Sequence, residues 1–287
     1  MTVHPPTLHE TLSAARARLI AAGIRSDEAA IDVDLYACTI LGWDRAKLLT
    51  ERASATPTQL EPRFSQWIAR RERREPSAMI IGTREFWGLD FIVSPAVLIP
   101  RPETELVVEE AITRLRGLAG ARIADIGTGS GCIAVSIAHE LHAAHVVATD
   151  VSTEALKVAA ANAERHGVAD RIEFVTASYL GGIDGDFDLI AANPPYVRDR
   201  DKPALTREVH FEPDVALFGG ETGLRDIEGV LDTAIAKLRP RGWLVMEFGF
   251  GQEDDVRALV EKRPLLRFEG VREDLQGLAR TAVVQHA

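Results

Sequence analysis

The stretch ARIADIGTGSGCIAVSIA, residues 121–138, decides how this chain folds. Its first half is an apolar strand that contains Asp125, and its second half, from Cys132 onward, has the apolar spacing of a helix. Five small residues lie between the two halves: Gly127, Thr128, Gly129, Ser130 and Gly131. Glycines at this spacing allow a tight turn in which backbone N–H groups face a ligand at a helix N-terminus. The stretch therefore predicts a ligand-binding strand–turn–helix unit.

Asp150 ends the next predicted strand, 23 residues after Gly127. A carboxylate at this position accepts hydrogen bonds from two ribose hydroxyls, so the pattern indicates an adenosine-type cofactor. The dinucleotide fingerprint requires a glycine where this chain has Cys132. An acid followed by G-x-G-x-G instead resembles the S-adenosylmethionine motif of class I methyltransferases. A nicotinamide or flavin cofactor and a purely structural glycine turn stay open.

Further strands and helices alternate on both sides of this unit. The predicted strands are residues 122–126, 145–150, 172–175, 187–192, 243–248, 266–271 and 280–285. Strands separated by helices are typical of an α/β fold with a mostly parallel sheet. The pattern predicts a hairpin linker over residues 79–101 and a catalytic domain over residues 102–287.

Residues 1–78 are predicted to be helical. Gly23 ends the first helix, and Ser26 is the expected N-cap of the second. Thr56, Pro57 and Gln59 predict a capping-box start for a helix that runs into RRERR, residues 70–74. These arginines have two interpretations, which are a solvated helix end that complements the helix dipole and part of a docking surface.

Composition limits the classes of function. The chain has 287 residues, 46% of them apolar, and a formal net charge of −10. This composition excludes global disorder, and the charge disfavours broad binding to phosphate backbones. Cys38 and Cys132 are too few for a disulfide framework or a cysteine zinc site. MTVHPPTLHE lacks the pattern of a signal peptide, and no apolar run approaches a membrane span, so we expect a cytoplasmic protein without membrane contact.

The second chemical motif is Asn193-Pro194-Pro195-Tyr196, directly after the predicted strand 187–192. Two prolines can merely end a strand, but this position at the carboxyl edge of the sheet is where α/β proteins bind ligands. The side-chain oxygen of Asn193 and the carbonyl of Pro194 can each accept one N–H of a planar amine. This would orient the nitrogen lone pair toward a methyl group, with Tyr196 against the planar substrate.

Other groups of chemically active residues give weaker indications of function. HELHAAH, residues 139–145, lacks the second histidine of H-E-x-x-H because position 143 is alanine, so we expect no metal. Glu247 ends a strand near the expected site. The motifs leave four candidate functions: a protein glutamine methyltransferase, an adenine-N6 nucleic-acid methyltransferase, a nicotinamide oxidoreductase and a non-catalytic binding module. The net charge disfavours the nucleic-acid methyltransferase, and Cys132 disfavours the oxidoreductase. The presence of both motifs disfavours a non-catalytic module.

Motifs along nearly the whole chain resemble the PrmC/HemK family of peptide chain release factor glutamine methyltransferases. They are, in order, REFWG (84–88), VLIPRPETE (97–105), DIGTGSG (125–131), NPPYV (193–197), FEPDVALFGGETGL (211–224), RGWLVMEFGFGQ (241–252) and DLQGLAR (274–280). Related ribosomal-protein glutamine methyltransferases share NPPY but depart from PRPETE. The resemblance implies a class I, Rossmann-like methyltransferase domain with a small N-terminal helical domain that docks the substrate.

The resemblance also implies residue roles. S-adenosylmethionine would be bound, and S-adenosylhomocysteine released, by Gly127, Thr128, Gly129, Ser130, Gly131, Asp150, Tyr179 and Asn193. The substrate glutamine would be held by Asn193, Pro194, Pro195, Tyr196, Arg101 and Glu103. Ser178 stands where the family commonly has an acid. The implied substrate is the glutamine of the Gly-Gly-Gln tripeptide in class 1 release factors, with no direct contact to nucleic acid.

Overall fold

The computed structural model describes residues 5–287 as two compact units. Within the described part, one unit consists of residues 5–82 and Thr206–Phe211, and the other of Thr83–Leu205 and Glu212–Ala287. The first residues of MTVHPPTLHE, where no signal peptide was expected, lie outside the described part. The sequence-derived boundaries at residues 78 and 101 stay a prediction.

The first unit is helical. Its helices are α1 (Leu8–Ala21), α2 (Ser26–Leu41), α3 (Arg45–Thr50), α4 (Arg63–Glu72) and α5 (Ser77–Ile81). They enclose an apolar core that includes Leu12, Val33 and Ile68. A capping box starts α1, because the Thr7 hydroxyl accepts from the Glu10 N–H at 3.2 Å and the Glu10 carboxylate accepts from the Thr7 N–H at 2.7 Å.

Two local predictions for this unit were wrong. Ser26 is the first residue of α2 and not its N-cap. The capping box at residues 56–59 does not form: residues Thr58–Leu60 make one 3₁₀ turn, and α4 starts later, after Pro62. Proline keeps the preceding Glu61 in an extended conformation, so no continuous helix can cross this point. Within the segment 79–101, residues 79–81 belong to α5 and the paired strands begin at Thr83.

The arginines of RRERR are not simply a solvated helix end. Arg71 is only 5% exposed, and its Nε donates to Asp32 at 2.7 Å while its Nη1 donates to Glu208 at 2.8 Å. Arg74 donates to the carbonyl of Gly23 at 2.6 Å and to Glu208 at 3.1 Å. Buried charges require such partners. The solvated interpretation is therefore wrong for Arg71, because acids distant in sequence surround it.

The second unit contains two sheets. A hairpin pairs β1 (Thr83–Phe86) with β2 (Leu89–Ile92). The large sheet consists of β3 (Arg122–Ile126), β4 (His145–Asp150), β5 (Ile172–Thr176), β6 (Phe187–Ala192), β7 (Leu238–Glu247), β8 (Leu266–Glu273) and β9 (Ala279–His286). Their order is β5-β4-β3-β6-β7-β9-β8, with β9 antiparallel to both β7 and β8 and the other pairs parallel. The predicted α/β fold with a mostly parallel sheet is confirmed.

Helices cover both faces of the large sheet. They are α6 (Glu105–Leu115), α7 (Cys132–Glu140), α8 (Thr153–Arg165), α9 (Arg225–Lys237) and α10 (Glu253–Glu261). Residues of α6 and α7 share one apolar cluster with Phe86 and Phe91 of the hairpin, and residues of α9 and α10 form a second cluster. With both faces covered, the carboxyl edge of the parallel strands is the part of the sheet left open to a ligand.

Replacement of Arg71 by methionine should destabilise the protein by about 3 kcal/mol, because Asp32 loses the partner of a buried ion pair and Glu208 keeps only Arg74. Urea unfolding of the full chain measures the change. Arg73→Met is the matched control, since Arg73 is exposed at the end of the same helix and should change the free energy of unfolding by less than about 0.5 kcal/mol. Equal effects of the two substitutions would contradict a structural role for the Arg71 ion pairs.

Candidate active site

The strand register places four candidate residues in one row. Ile126 of β3 pairs with Thr149 of β4 and with Ala192 of β6, and Ala192 pairs with Met246 of β7. The next residue of each strand or turn therefore stands at the same sheet edge; these residues are Gly127, Asp150, Asn193 and Glu247. A cleft of about 200 Å³ opens at this edge, and the first three of them line it.

The glycine turn brings its backbone to the cleft. The N–H of Thr128 donates to the carbonyl of Thr149 at 2.9 Å, and the N–H of Gly131 donates to the carbonyl of Thr128 at 2.8 Å. Gly131 has a φ of 81°, and a Cβ there would lie 3.0 Å from the Cβ of Ala159 in α8. Gly131 is therefore required for close packing of α8 as well as for the turn. Gly127, Thr128, Gly129 and Ser130 line the cleft.

Asp125 supports this turn from below the cleft. Its Oδ2 accepts hydrogen bonds from the Thr128 hydroxyl at 2.6 Å and from the Ala134 N–H at 3.1 Å. Its Oδ1 is buried and has no hydrogen-bond partner among residues 5–287. Burial raises the pKa of Asp125 to about 7, although the donated hydrogen bonds lower it. The folded protein thus holds a proton on Asp125 to a higher pH than an exposed carboxyl group would.

Asp150 is held in place by two backbone groups. The N–H of Gly129 donates to its Oδ2 at 3.0 Å, and the N–H of Ser152 donates to its Oδ1 at 2.8 Å. Each carboxylate oxygen has a second lone pair that can accept another hydrogen bond. The structure therefore brings the predicted ribose acid against the glycine turn and fixes the direction of its carboxylate.

Tyr179 lines the cleft after β5, as does Ser178. The Tyr179 hydroxyl donates to Asp226 at 3.1 Å. Burial and the charge of Asp226 raise the pKa of Tyr179, so the phenol stays protonated and acts as the donor in this pair. Asp226 also lines the cleft. Sequence reasoning missed Asp226, which lies in α9, 47 residues from Tyr179 and two residues after the motif 211–224.

The turn at residues 193–196 divides its side chains between cleft and interior. Asn193, Pro194 and Pro195 line the cleft, whereas Tyr196 is not among the lining residues. The Tyr196 hydroxyl instead donates to Oε1 of Glu247 at 3.0 Å. Burial and the adjacent Glu247 raise the pKa of Tyr196. A contact between Tyr196 and the substrate, as predicted from the sequence, stays a prediction.

The segment after the turn is fixed by the glycines of FGGETGL. The N–H of Val197 donates to the carbonyl of Leu217, and the N–H of Gly219 donates to the carbonyl of Val197, both at 2.9 Å. A Cβ on Gly223 would collide with the carbonyl oxygen of Tyr196. Gln252 donates to the same carbonyl at 3.2 Å. These contacts explain why a glycine-rich segment and a glutamine distant in sequence accompany the NPPY motif.

Residues 99–104 lie against the same turn. Glu212 is buried, and it accepts from Arg101 at 2.5 Å and from the N–H of Ile99 at 3.0 Å. Arg101 lines the cleft, but Glu103 is not among its lining residues. Thr104 contacts both Asn193 and Glu247. Thr104 and Glu212 were not predicted as site residues, although each lies within a motif noted above.

Known proteins resemble this chain over most of its length. Residues 10–82 match the PrmC N-terminal domain, and residues 104–213 match the Methyltransferase small domain. A release factor glutamine methyltransferase of Bradyrhizobium diazoefficiens is 39% identical over 285 residues, which are 97% of this chain and 96% of that protein. One of Nitratidesulfovibrio vulgaris is 41% identical over 96% of this chain and 93% of its own length. The chain belongs to the release factor glutamine methyltransferase family.

Two solved structures resemble this chain in fold. The catalytic domain of hMettl16 in complex with a 3′UTR hairpin has a TM-score of 0.58 at 18% identity, over 77% of this chain and 81% of that chain. The T. thermophilus 16S rRNA methyltransferase RsmC in complex with AdoMet and guanosine has a TM-score of 0.51 at 18% identity, over 71% and 50% of the two chains. These structural similarities support a Rossmann-like methyltransferase fold for this chain.

Residues 5–287 contain no group of three or more His, Cys, Asp and Glu side chains arranged to hold a metal ion. None of the helices described is long and apolar enough to cross a membrane.

The raised pKa of Asp125 predicts a pH-dependent stability. Its ordinary value is 3.8, so the folded protein binds this proton more tightly than the unfolded chain, and stability is lost as pH rises toward about 7. Relative to Asp125→Asn, the wild type should lose about 2–3 kcal/mol of unfolding free energy between pH 5 and 7. Urea unfolding at several pH values, without added ligand, measures this difference. Parallel pH profiles for the two proteins would show that Asp125 does not titrate in this range.

Proposed function

We propose that this protein methylates the side-chain amide nitrogen (N5) of the glutamine in the Gly-Gly-Gln tripeptide of class 1 peptide chain release factors, with S-adenosylmethionine as methyl donor. In the reaction the S–CH₃ bond breaks, an N–CH₃ bond forms and one N–H proton leaves to solvent, which releases S-adenosylhomocysteine. The observation that carries the proposal is the placement of Asn193 and Pro194 beside the glycine turn, in a chain of this family.

The cleft suits S-adenosylmethionine because its turn is glycine-rich and its acids are fixed. Gly127, Thr128, Gly129, Ser130, Gly131, Asp150, Tyr179 and Asn193 are the residues we assign to binding. The Asp150 carboxylate, oriented by Gly129 and Ser152, would accept the ribose hydroxyls, and Tyr179 would lie beside the adenine. When bound, the sulfonium supplies an electrophilic methyl group. Asp125 is buried and supports the turn through Thr128 and the N–H of Ala134.

The substrate amide is a poor nucleophile, so the chain must orient it. Among residues 5–287, none donates a hydrogen bond to the side-chain oxygen of Asn193 or to the carbonyl of Pro194. These two oxygens can each accept one N–H of the amide and thereby aim the nitrogen lone pair at the methyl group. No strong general base is needed, because the nitrogen becomes acidic on methylation. Arg101, Glu103, Pro195 and Tyr196 would shape the surrounding pocket.

The partner follows from the same proposal. We assign the N-terminal helical domain, residues 1–78, to docking of the release factor, with residues 79–101 as the linker to the catalytic domain, residues 102–287. A net charge of −10 disfavours nucleic acid as the substrate. Because class 1 release factors act during translation, the proposed reaction places the enzyme in the cytoplasm.

Transfer of labelled methyl groups tests the substrate. The protein is incubated with labelled S-adenosylmethionine and one of three substrates: a class 1 release factor, the same factor with Gly-Gly-Gln changed to Gly-Gly-Ala, or DNA. We expect label on the unaltered factor alone, because the alanine variant lacks the amide and DNA is repelled. Label on DNA would favour the adenine-N6 alternative, and label that persists on the alanine variant would show that another residue is methylated.

Asn193→Ala should lower kcat by about 100-fold or more, because one acceptor that orients the amide is lost. The Kd for S-adenosylmethionine should change by less than about fivefold, since the glycine turn and Asp150 remain. Single-turnover kinetics and calorimetry measure the two quantities. Equal losses in both would assign Asn193 mainly to cofactor binding.

Asp150→Ala should show the opposite pattern. Loss of the ribose acceptors should raise the Kd for S-adenosylmethionine by about tenfold or more, with a smaller effect on kcat at saturating cofactor. Calorimetry with the purified variant gives the Kd directly. An unchanged Kd would show that the ribose is bound elsewhere.

A further inference from the structure

Hydrogen bonds among three buried or half-buried side chains connect strand β7 to the cleft. Thr104 is 2% exposed and Glu247 is 1% exposed. The Thr104 hydroxyl donates to Oε2 of Glu247 at 2.6 Å, and Nδ2 of Asn193 lies 3.0 Å from the Thr104 oxygen. The three residues come from the 3₁₀ turn Pro102–Thr104, the turn after β6 and the end of β7. Only tertiary structure brings them together.

In its ionised form Glu247 sets the direction of the hydrogen bonds among these three residues, because an ionised carboxylate can only accept. Its Oε1 accepts from the Tyr196 hydroxyl at 3.0 Å and its Oε2 accepts from Thr104. Burial raises the pKa of Glu247 above its ordinary value, and the hydrogen bonds donated by Thr104 and Tyr196 oppose this shift by stabilising the ionised carboxylate.

The single proton of the Thr104 hydroxyl is used in the bond to Glu247. The Thr104 oxygen can therefore only accept from Asn193, so the NH₂ end of the Asn193 amide must face Thr104. The two ends of an asparagine amide have nearly the same shape, and the hydrogen-bond network decides which end points where. With its NH₂ end committed, Asn193 presents its Oδ1 toward the cleft.

We infer that Thr104 and Glu247 are positioning residues, which hold the Asn193 amide in the one orientation that offers Oδ1 to the substrate nitrogen. In the reverse orientation the Asn193 NH₂ group would meet the N–H of the substrate amide, and two donors would face each other. This inference rests on the proposed function for its consequence in turnover. The orientation itself is a property of the protein alone.

The orientation is tested first, without substrate or cofactor. In nuclear magnetic resonance of the full chain, the side-chain NH₂ signal of Asn193 is identified by its absence in Asn193→Ala. We expect a nuclear Overhauser effect from these protons to the Thr104 methyl group, which Thr104→Ser removes because serine has no methyl group. Absence of this effect in the wild type would overturn the inference. This result does not depend on which molecule is methylated, so its failure is distinct from failure of the proposed function.

Kinetics then test the consequence with release factor as substrate. Thr104→Val keeps the shape but loses the hydroxyl, and kcat should fall between about 10-fold and 100-fold. The release factor KM and the Kd for S-adenosylmethionine should each stay within about threefold. Thr104→Ser restores the hydroxyl and should recover most of the lost kcat.

Thr281→Val is the matched control. Thr281 is buried on β9, it pairs with Glu247 in the strand register, and its hydroxyl has no hydrogen-bond partner among residues 5–287. The same change of side chain beside Glu247 should leave kcat within about twofold of the wild type. A Thr104→Val enzyme as fast as this control, a Thr104→Ser enzyme as slow as Thr104→Val, or an equal loss of cofactor affinity would each overturn the positioning role.

Discussion

The in-register pairing of parallel strands β4, β3, β6 and β7 is the constraint on which the rest of the structure depends. It places Asp150, Gly127, Asn193 and Glu247 side by side at one edge, although they span 121 residues of the chain. A slip of one residue in any of these pairs would send the following side chain to the opposite face of the sheet. Backbone hydrogen bonds between strands therefore determine the geometry of the site before any side chain contributes.

Two buried acids then stiffen this edge. Asp125 holds the glycine turn through Thr128 and the N–H of Ala134, and Glu247 holds the next turn through Thr104 and Tyr196. Burying a carboxylate is costly unless donors compensate it, so each acid organises the donors around itself. Groups fixed in this way need no rearrangement when the substrate arrives, which is the basis of catalysis by orientation.

The sequence predicted strands and chemical motifs well, because both depend on local pattern. The glycine turn, Asp150 and the NPPY turn lie at strand ends, and alternation of strands with helices indicates where such ends meet. Local rules failed in the helical unit. Pro62 interrupts a helix that the capping pattern favoured, and Arg71 is buried because Asp32 and Glu208 approach from elsewhere. Neither partner of Arg71 is visible from the RRERR segment itself.

The α/β class, the glycine turn, the NPPY turn and the family resemblance can all be derived from the amino-acid sequence, since each depends on local patterns along the chain. Which of those segments contact one another depends on the tertiary structure. It placed Glu212 on Arg101, Gln252 on the Tyr196 carbonyl and Thr104 between Asn193 and Glu247. Hydrogen-bond direction depends on which donors and acceptors meet in space. Partners 56 to 143 residues apart leave no local pattern from which that direction can be derived.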